Sequence, residues 1–141
     1  MSYCLAGTVS STPMDNLTKI THALSALQTR ANDDAFVVIQ HRATQKFVQF
    51  AIAEPKKLWM DLPAQTLSEV EFYRAVDFFR KRGITGEEYA VFDRPDGEVA
   101  GTQFTFNMSF SSAIEASTTA SKILSEVYGF LSDCELEIIE N

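Results

Sequence analysis

Residues 46–63, KFVQFAIAEPKKLWMDLP, constrain the fold of this chain more than any other stretch. Their side chains alternate with a period of two, which in a β-strand sends neighbouring residues to opposite faces of a sheet. A turn at residues 54–57 divides the stretch into two strands. One face of the first strand carries Val48, Phe50 and Ile52. The other face carries Phe47, Gln49 and Ala51. The stretch therefore predicts a core-forming strand pair.

An apolar stripe before these strands predicts a helix of about four turns. The stripe consists of Leu17, Ile20, Leu24 and Leu27. Thr12 suits the N-cap of this helix, and Pro13 suits its first position. Residues 1–11 are small and polar-leaning, and we expect them to form a loose N-terminal arm.

The clearest helix start in the chain follows the strand pair. Ser68 and Glu71 have the spacing of a capping box, in which each residue bonds the backbone of the other. We expect this helix to run over residues 69–82, with Gly83 in the left-handed conformation that ends many helices.

Further β-branched and aromatic runs predict the remaining strands. The predicted strands are residues 36–40, 46–53, 58–61, 88–94 and 103–110, with an optional terminal strand at 134–139. Ser112 and Glu115 form another capping-box pair and predict a third helix. The order is then α-β-β-β-α-β-β-α. We predict one α+β domain over residues 1–141, a twisted antiparallel sheet with helices packed on it.

Composition limits the classes of partner. Hydrophobic residues make up 45% of the chain, which is enough for a core, while 19 acidic and 12 basic residues give a net charge of −7. Proteins that bind nucleic acid or anionic membranes use Lys and Arg to do so, and the charge argues against both. The chain lacks the pattern of a secretory signal and any long apolar run, so we expect a cytoplasmic protein.

No pattern of catalytic or metal-binding residues stands out. His22 and His41 are isolated, without the H-x-x-x-H or C-x-x-C spacing of a metal site. Cys4 and Cys134 lie near the two ends, and free thiols are favoured over a disulfide. The acidic stretch 93–98 lacks the ligand spacing of a calcium loop and predicts a hairpin turn. We therefore predict no cofactor, no metal and no enzymatic activity.

The helix at residues 69–82 has an apolar arc that is wider than packing on one sheet face requires. The arc consists of Phe72, Tyr73, Val76, Phe78 and Phe79. One interpretation is that this helix is buried on two sides, by its own sheet and by a second copy of the chain. The other is that the flanking rings cover the edge of the core. The first interpretation makes these residues candidates for a homodimer interface.

The second candidate surface is the mixed polar and aromatic side of the strand pair. It consists of Phe47, Gln49, Trp59 and Asp61. If the strand register brings them together, they suit the binding of an extended peptide from a partner, or a dimer contact. A sheet face in water also carries polar residues, so a plain solvent-facing surface is the alternative.

The predicted element order, the length, the acidity and the passage KFVQF…LWMDLP…LSEVEFYRA resemble the type III secretion chaperone-like superfamily, and within it the YbjN-like and TY-Chap groups. The sequence part of the resemblance is confined to residues 47–75. The resemblance implies a small acidic α+β protein, often a homodimer, and the secretion chaperones bind an extended client segment without catalysis. Their dimer contact commonly uses the helix that corresponds here to residues 69–82. The terminal strand at 134–139 departs from the plain pattern.

The leading functional prediction is a non-enzymatic protein-binding module that binds a partner segment as a homodimer. The alternative is an α+β domain that binds or converts a small molecule at a site between sheet and helices. A third interpretation is an immunity-type protein that neutralises a toxin through its acidic surface.

Overall fold

The structure is a computed structural model, and it describes residues 15–30, 34–54, 56–92 and 99–141. The predicted arm at residues 1–11, Cys4 and the hairpin turn at 93–98 lie outside the described residues.

Three helices and six strands make up the described fold. In chain order they are α1 (Asn16–Thr29), β1 (Phe36–His41), β2 (Phe47–Glu54), β3 (Lys57–Pro63), α2 (Glu69–Arg80), β4 (Glu87–Phe92), β5 (Val99–Phe110), α3 (Ala113–Lys122) and β6 (Leu136–Glu140). A 3-10 turn, Ala64–Thr66, precedes α2, and a π-helical turn, Ile123–Val127, extends α3. The predicted element order and the terminal strand are confirmed.

Helix α1 begins later than its sequence suggested. The predicted cap residues Thr12 and Pro13 lie outside the described part of the chain, and Asp15 occupies the N-cap instead. Its carboxylate accepts a hydrogen bond from the Thr18 amide at 2.8 Å. An aspartate is well suited to this position because it satisfies a free amide and places negative charge at the positive end of the helix.

The six strands form one open antiparallel sheet in the spatial order β4-β5-β3-β2-β1-β6. β1, β2 and β3 follow one another in the chain and form an antiparallel meander. β5 pairs with β3 after the chain has passed through α2 and β4. β6 closes the chain on the opposite edge, beside β1. β2 and β3 therefore lie inside the sheet rather than at an edge.

All three helices share one hydrophobic core with one face of the sheet. The strand register places residues of one parity on this face, and they are buried: Val37, Ile39, Val48, Phe50, Leu58, Met60, Leu62, Phe106 and Phe110. The helices contribute buried residues that include Ile20, Leu24, Leu27, Ala75, Phe79, Ala116 and Ala120. Burying this apolar surface is the main source of stability of the fold. The other face of the sheet carries none of these helices.

The ends of α2 follow the sequence prediction closely. Ser68 and Glu71 form both halves of the capping box. At the other end Gly83 has φ 75°, and the Gly83 and Ile84 amides donate to the carbonyls of Arg80 and Phe79. These are the two hydrogen bonds of a Schellman motif. α2 is therefore held at both ends by interactions local in sequence.

Helix α3 shows only part of its predicted cap and packs closely on α1. The Ser112 hydroxyl accepts a hydrogen bond from the Glu115 amide at 3.3 Å, which is one half of a capping box. Ser117 is fully buried and bonds the Thr21 hydroxyl of α1 at 2.7 Å. The small side chains in this part of α3 allow the two helices to approach.

Candidate functional site

The face of the sheet that the helices leave uncovered is the main candidate site, and we call it the open face. The strand register assigns it Phe36, Val38, Phe47, Gln49, Ala51, Trp59, Asp61, Thr105, Asn107 and Ile139. These residues alternate along each strand with the core residues, so their side chains project to the opposite side. They are arranged in rows that cross several strands.

One row of the open face is aromatic at two positions. Ala51 on β2 lies directly between Phe36 on β1 and Trp59 on β3. Phe36 is 37% exposed and Trp59 is 39% exposed, although each belongs to a strand that is paired on both sides. Because the alanine between them is small, the two rings border a gap rather than a continuous apolar layer.

The neighbouring row is polar and centred on Asp61. Asp61 lies opposite Gln49 on β2 and opposite Asn107 on β5. One carboxylate oxygen accepts hydrogen bonds from the Asn107 amide at 2.9 Å and from the Thr105 hydroxyl, and the other accepts from the Gln49 amide at 2.8 Å. These hydrogen bonds hold the half-buried carboxylate of Asp61 in one orientation.

The aromatic and polar rows enclose a shallow depression of about 340 Å³. It is lined by Phe36, Gln49, Phe50, Ala51, Trp59, Asp61 and Asn107. Two rings thus form walls, an alanine forms the floor, and a carboxylate with its amide partners closes one end. The arrangement suits a partner group that is flat or cationic, because aromatic faces and carboxylates both attract cations.

The structure brings together three of the four residues predicted for partner binding. Gln49, Trp59 and Asp61 line the depression. Phe47 shares the open face but lies beyond Gln49, in the next row, and is half-buried. Its carbonyl accepts a hydrogen bond from the Tyr128 hydroxyl at 2.6 Å.

Sequence reasoning missed Phe36, Thr105 and Asn107 as members of this site. The alternation of the strand containing Asn107 did place its polar residues together on one face. Which of them would meet Asp61 depends on the register between β3 and β5, which no local pattern reveals.

The residues predicted for a homodimer interface fall into two groups. Phe79 is fully buried and stacks on Phe106 with ring centroids 4.7 Å apart. Phe78 is also buried, with the Arg82 guanidinium 3.6 Å from its ring centroid. Both rings are therefore core residues of the protomer, and for Phe78 this agrees with the interpretation that the flanking rings cover the edge of the core.

The other candidates on α2 reach the surface. Phe72 and Val76 are half-buried, and Tyr73 is 65% exposed. Val70, one turn before Tyr73, is also exposed and was missed by the sequence analysis. The interface prediction is therefore retained for Phe72, Tyr73 and Val76.

A second polar cluster joins the start of α2 to the sheet. The Lys46 ammonium group donates to the Glu71 carboxylate, which also bonds the Ser68 amide. Burial alone would raise the pKa of Glu71, but Lys46 and Ser68 outweigh it and hold the pKa below its usual value. Burial raises the pKa of nearby Tyr128 above its ordinary value. With its polar groups paired inside the protein, this cluster is structural.

The two histidines, His22 and His41, lie on different elements of the fold, α1 and β1. His22 is exposed on α1, whereas His41 stacks on Phe130 with ring centroids 3.7 Å apart. Cys134 carries a free thiol whose pKa is raised by burial and by Asp133, which disfavours the reactive thiolate. The described residues contain no group of three or more His, Cys, Asp or Glu side chains placed to hold a metal ion.

An apolar depression of about 310 Å³ lies on the helix side of the molecule. Its lining includes Leu17, Leu124, Phe130 and Leu131. It is bordered by the start of α1, by α3 with its π-helical turn, and by Leu136 of β6, so the small-molecule interpretation stays a prediction.

Within the described ranges, none of the helices has the length and apolar character needed to cross a bilayer.

Comparison of the chain with protein-family models, with curated proteins and with solved structures finds no match. The resemblance to the type III secretion chaperone-like superfamily therefore stays a prediction.

Proposed function

We propose that this protein is a non-enzymatic binding module whose open face receives an extended segment of a protein partner. The observation that carries the proposal is the one-sided packing of the sheet. The helices cover one face, and the other presents Phe36 and Trp59 beside the ordered Asp61 carboxylate. Aromatic residues bordered by polar groups are typical of the centres of protein interfaces.

The chemistry of the open face favours binding over catalysis. Asp61 accepts hydrogen bonds from three neutral donors, and these fix its position. The face presents flat rings and a fixed acceptor, which are recognition elements. Binding a segment here needs no rearrangement of the core, because the open-face side chains alternate with the buried ones. The cytoplasmic location predicted from the sequence is part of this proposal.

Removing the Trp59 ring is expected to weaken partner binding at least tenfold, or about 1.4 kcal/mol, because central aromatic residues dominate interface energies. Random peptides displayed on phage can be selected on the wild-type protein and then measured by calorimetry against Trp59→Ala. The matched control is Leu131→Ala, which removes a side chain that is more exposed and lies on the helix side. Selected peptides that bind Trp59→Ala as tightly as wild type would contradict the proposal.

We also propose that two copies associate through α2. The exposed Val70 and Tyr73 side chains and the half-buried Phe72 and Val76 support this contact. Exposed apolar residues gathered on one helix are a common mark of an interface.

Tyr73→Glu is expected to weaken the dimer at least tenfold, since it places a charge where the tyrosine ring would be covered. Analytical ultracentrifugation over a concentration series measures this change. Ile114→Glu is the control, because Ile114 is equally exposed but lies on α3. A wild-type protein that stays monomeric at high concentration would overturn the dimer proposal and leave the open-face proposal standing.

A further inference from the structure

We propose that the depression on the open face is a seat for a basic side chain of the partner segment, arginine in particular. The guanidinium group would lie between Phe36 and Trp59, over Ala51, and would donate to Asp61. This inference deepens the proposed function and rests on it. It names the chemistry that the bound segment must supply.

The spacing of the two rings fits a cation between them. Phe36 lies on β1 and Trp59 lies on β3, and β2 runs between these two strands. Paired residues on neighbouring strands have Cβ atoms about 5 Å apart. Because two such steps separate Phe36 from Trp59, their rings project from the sheet about 10 Å apart. A cation midway lies about 5 Å from each ring, within the ~6 Å range of a cation–π contact. Ala51 leaves this space unfilled.

Asp61 has an acceptor site left for such a donor. A carboxylate offers about four lone-pair sites, and side chains of the described residues use three. Thr105 and Asn107 both bond one oxygen, whereas Gln49 alone bonds the other. The remaining site is on the oxygen that faces β2, the strand that carries Ala51. A guanidinium over Ala51 can therefore reach it.

The charge of Asp61 also favours a cationic group from the partner. Among the described residues Glu71, Asp77, Glu135 and Glu140 form ion pairs, but none of the ion pairs includes Asp61. The nearest lysine along the same strand, Lys57, lies four residues away, about 13 Å, on the far side of Trp59. A half-buried carboxylate with neutral donors only, in a chain of net charge −7, is completed best by a cation from a partner.

Arginine fits the seat better than lysine. Its guanidinium is planar, stacks on aromatic faces and donates several hydrogen bonds in one plane. Midway between the rings it lies within cation–π range of both, and its donors are directed toward Asp61. A lysine ammonium group makes the same charge contact but does not stack.

The test uses small probes and the fluorescence of Trp59, which is the only tryptophan in the chain. N-acetyl-arginine amide is titrated into the protein, alongside N-acetyl-citrulline amide, its neutral isostere. We expect a saturable change in emission with the arginine probe and at least tenfold weaker binding of the citrulline probe. Equal binding of the two probes, or no response to either, would overturn the inference.

Two variants test the two features of this seat, the gap between the rings and the charge of Asp61. Ala51→Leu fills the gap between the rings, and Asp61→Asn removes the charge; each is expected to weaken the arginine probe at least tenfold. Ile139→Ala, on the same face but outside the depression, is the control and should leave binding unchanged. Thermal unfolding followed by circular dichroism verifies that each variant is folded. If Asp61→Asn fails to fold, Ala51→Leu decides the outcome.

A random peptide library separates this inference from the proposed function. If selected peptides require Trp59 and are enriched in arginine, both hold. If they require Trp59 without such enrichment and the arginine probe does not bind, the open face binds segments and the cation seat is wrong. If the arginine probe binds but no peptide requires Trp59, the seat exists and the segment-binding proposal fails.

Discussion

Phe79→Ala is expected to lower the free energy of unfolding by about 3–5 kcal/mol, the range for deleting a buried phenylalanine ring. Phe79 is fully buried on α2, stacks on Phe106 of β5, and meets Phe78 edge-on with centroids 5.2 Å apart. Its removal takes away apolar contact and leaves a cavity that rigid neighbouring strands cannot close. Because small domains are stabilised by only about 5–15 kcal/mol, this is a large fraction of the total.

Chemical denaturation with urea, followed by circular dichroism, measures the effect as a shift in the midpoint. The control is Leu131→Ala, which truncates a large apolar side chain outside the proposed dimer interface. Leu131 is 76% exposed, and we expect a loss below about 1 kcal/mol. Equal losses for the two variants would mean that α2 does not pack on the sheet through Phe79.

The second large effect is expected at Glu71. Glu71→Gln keeps the size of the side chain but removes the charge that pairs with Lys46 and accepts from Ser68. We expect a loss of about 2–3 kcal/mol at neutral pH, because the partly buried Lys46 then lacks its partner. Glu69→Gln is the control, since Glu69 is exposed in the same helical turn and its loss affects only the helix dipole, by about 0.3–1 kcal/mol.

Glu71 also predicts how stability changes with pH. Its pKa in the folded protein lies below the ordinary value of 4.5, so the unfolded chain binds the proton more readily than the native one. The Glu71 contribution is therefore complete above that ordinary value and is lost as the pH falls through the lower, folded pKa. The wild-type protein should lose stability more steeply below about pH 5 than Glu71→Gln does.

Other carboxylates also contribute to this slope, and the comparison with Glu71→Gln removes them. The Thr18 hydrogen bonds lower the pKa of Asp15, and Lys81 and Arg80 lower that of Asp77. Both groups are present in wild type and variant, so their effects cancel in the difference. Parallel pH profiles for the two proteins would show that the Lys46–Glu71 pair does not stabilise the folded state.

Several parts of the structure follow from local sequence. The capping box of α2 was predictable because Ser68 and Glu71 are three residues apart, a spacing that places each side chain at the other's backbone. Gly83 was predictable because a left-handed residue is needed where that helix ends. The period-two alternation assigned Gln49, Trp59 and Asp61 to the side of their strands opposite the core residues. Each inference depends on residues that are neighbours in sequence.

The helix wheel did not predict which aromatic side chains of α2 are buried. It placed Phe78 on a flank of the apolar arc, where a partner could cover it. In the fold Phe78 is buried, and Arg82 from the turn after the helix lies over its ring. A wheel that continues the helix through residue 82 does not show this contact, because the helix ends at Arg80 and Arg82 lies in the turn that follows.

By itself, the sequence determined the order of helices and strands, the alternation of their faces and the capping of α2, because periodicity and hydrogen bonding act over a few residues. Beyond the strand pair predicted in residues 46–63, the tertiary structure alone decided which strands are neighbours, and it set the register of every pair. The pairing of β3 with β5 brings Thr105 and Asn107 to Asp61, and the pairing of β1 with β2 sets Phe36 beside Ala51. These contacts depend on register, and a shift of one residue would turn every side chain to the other face. The candidate site is therefore a product of strand pairing over long distances in the sequence.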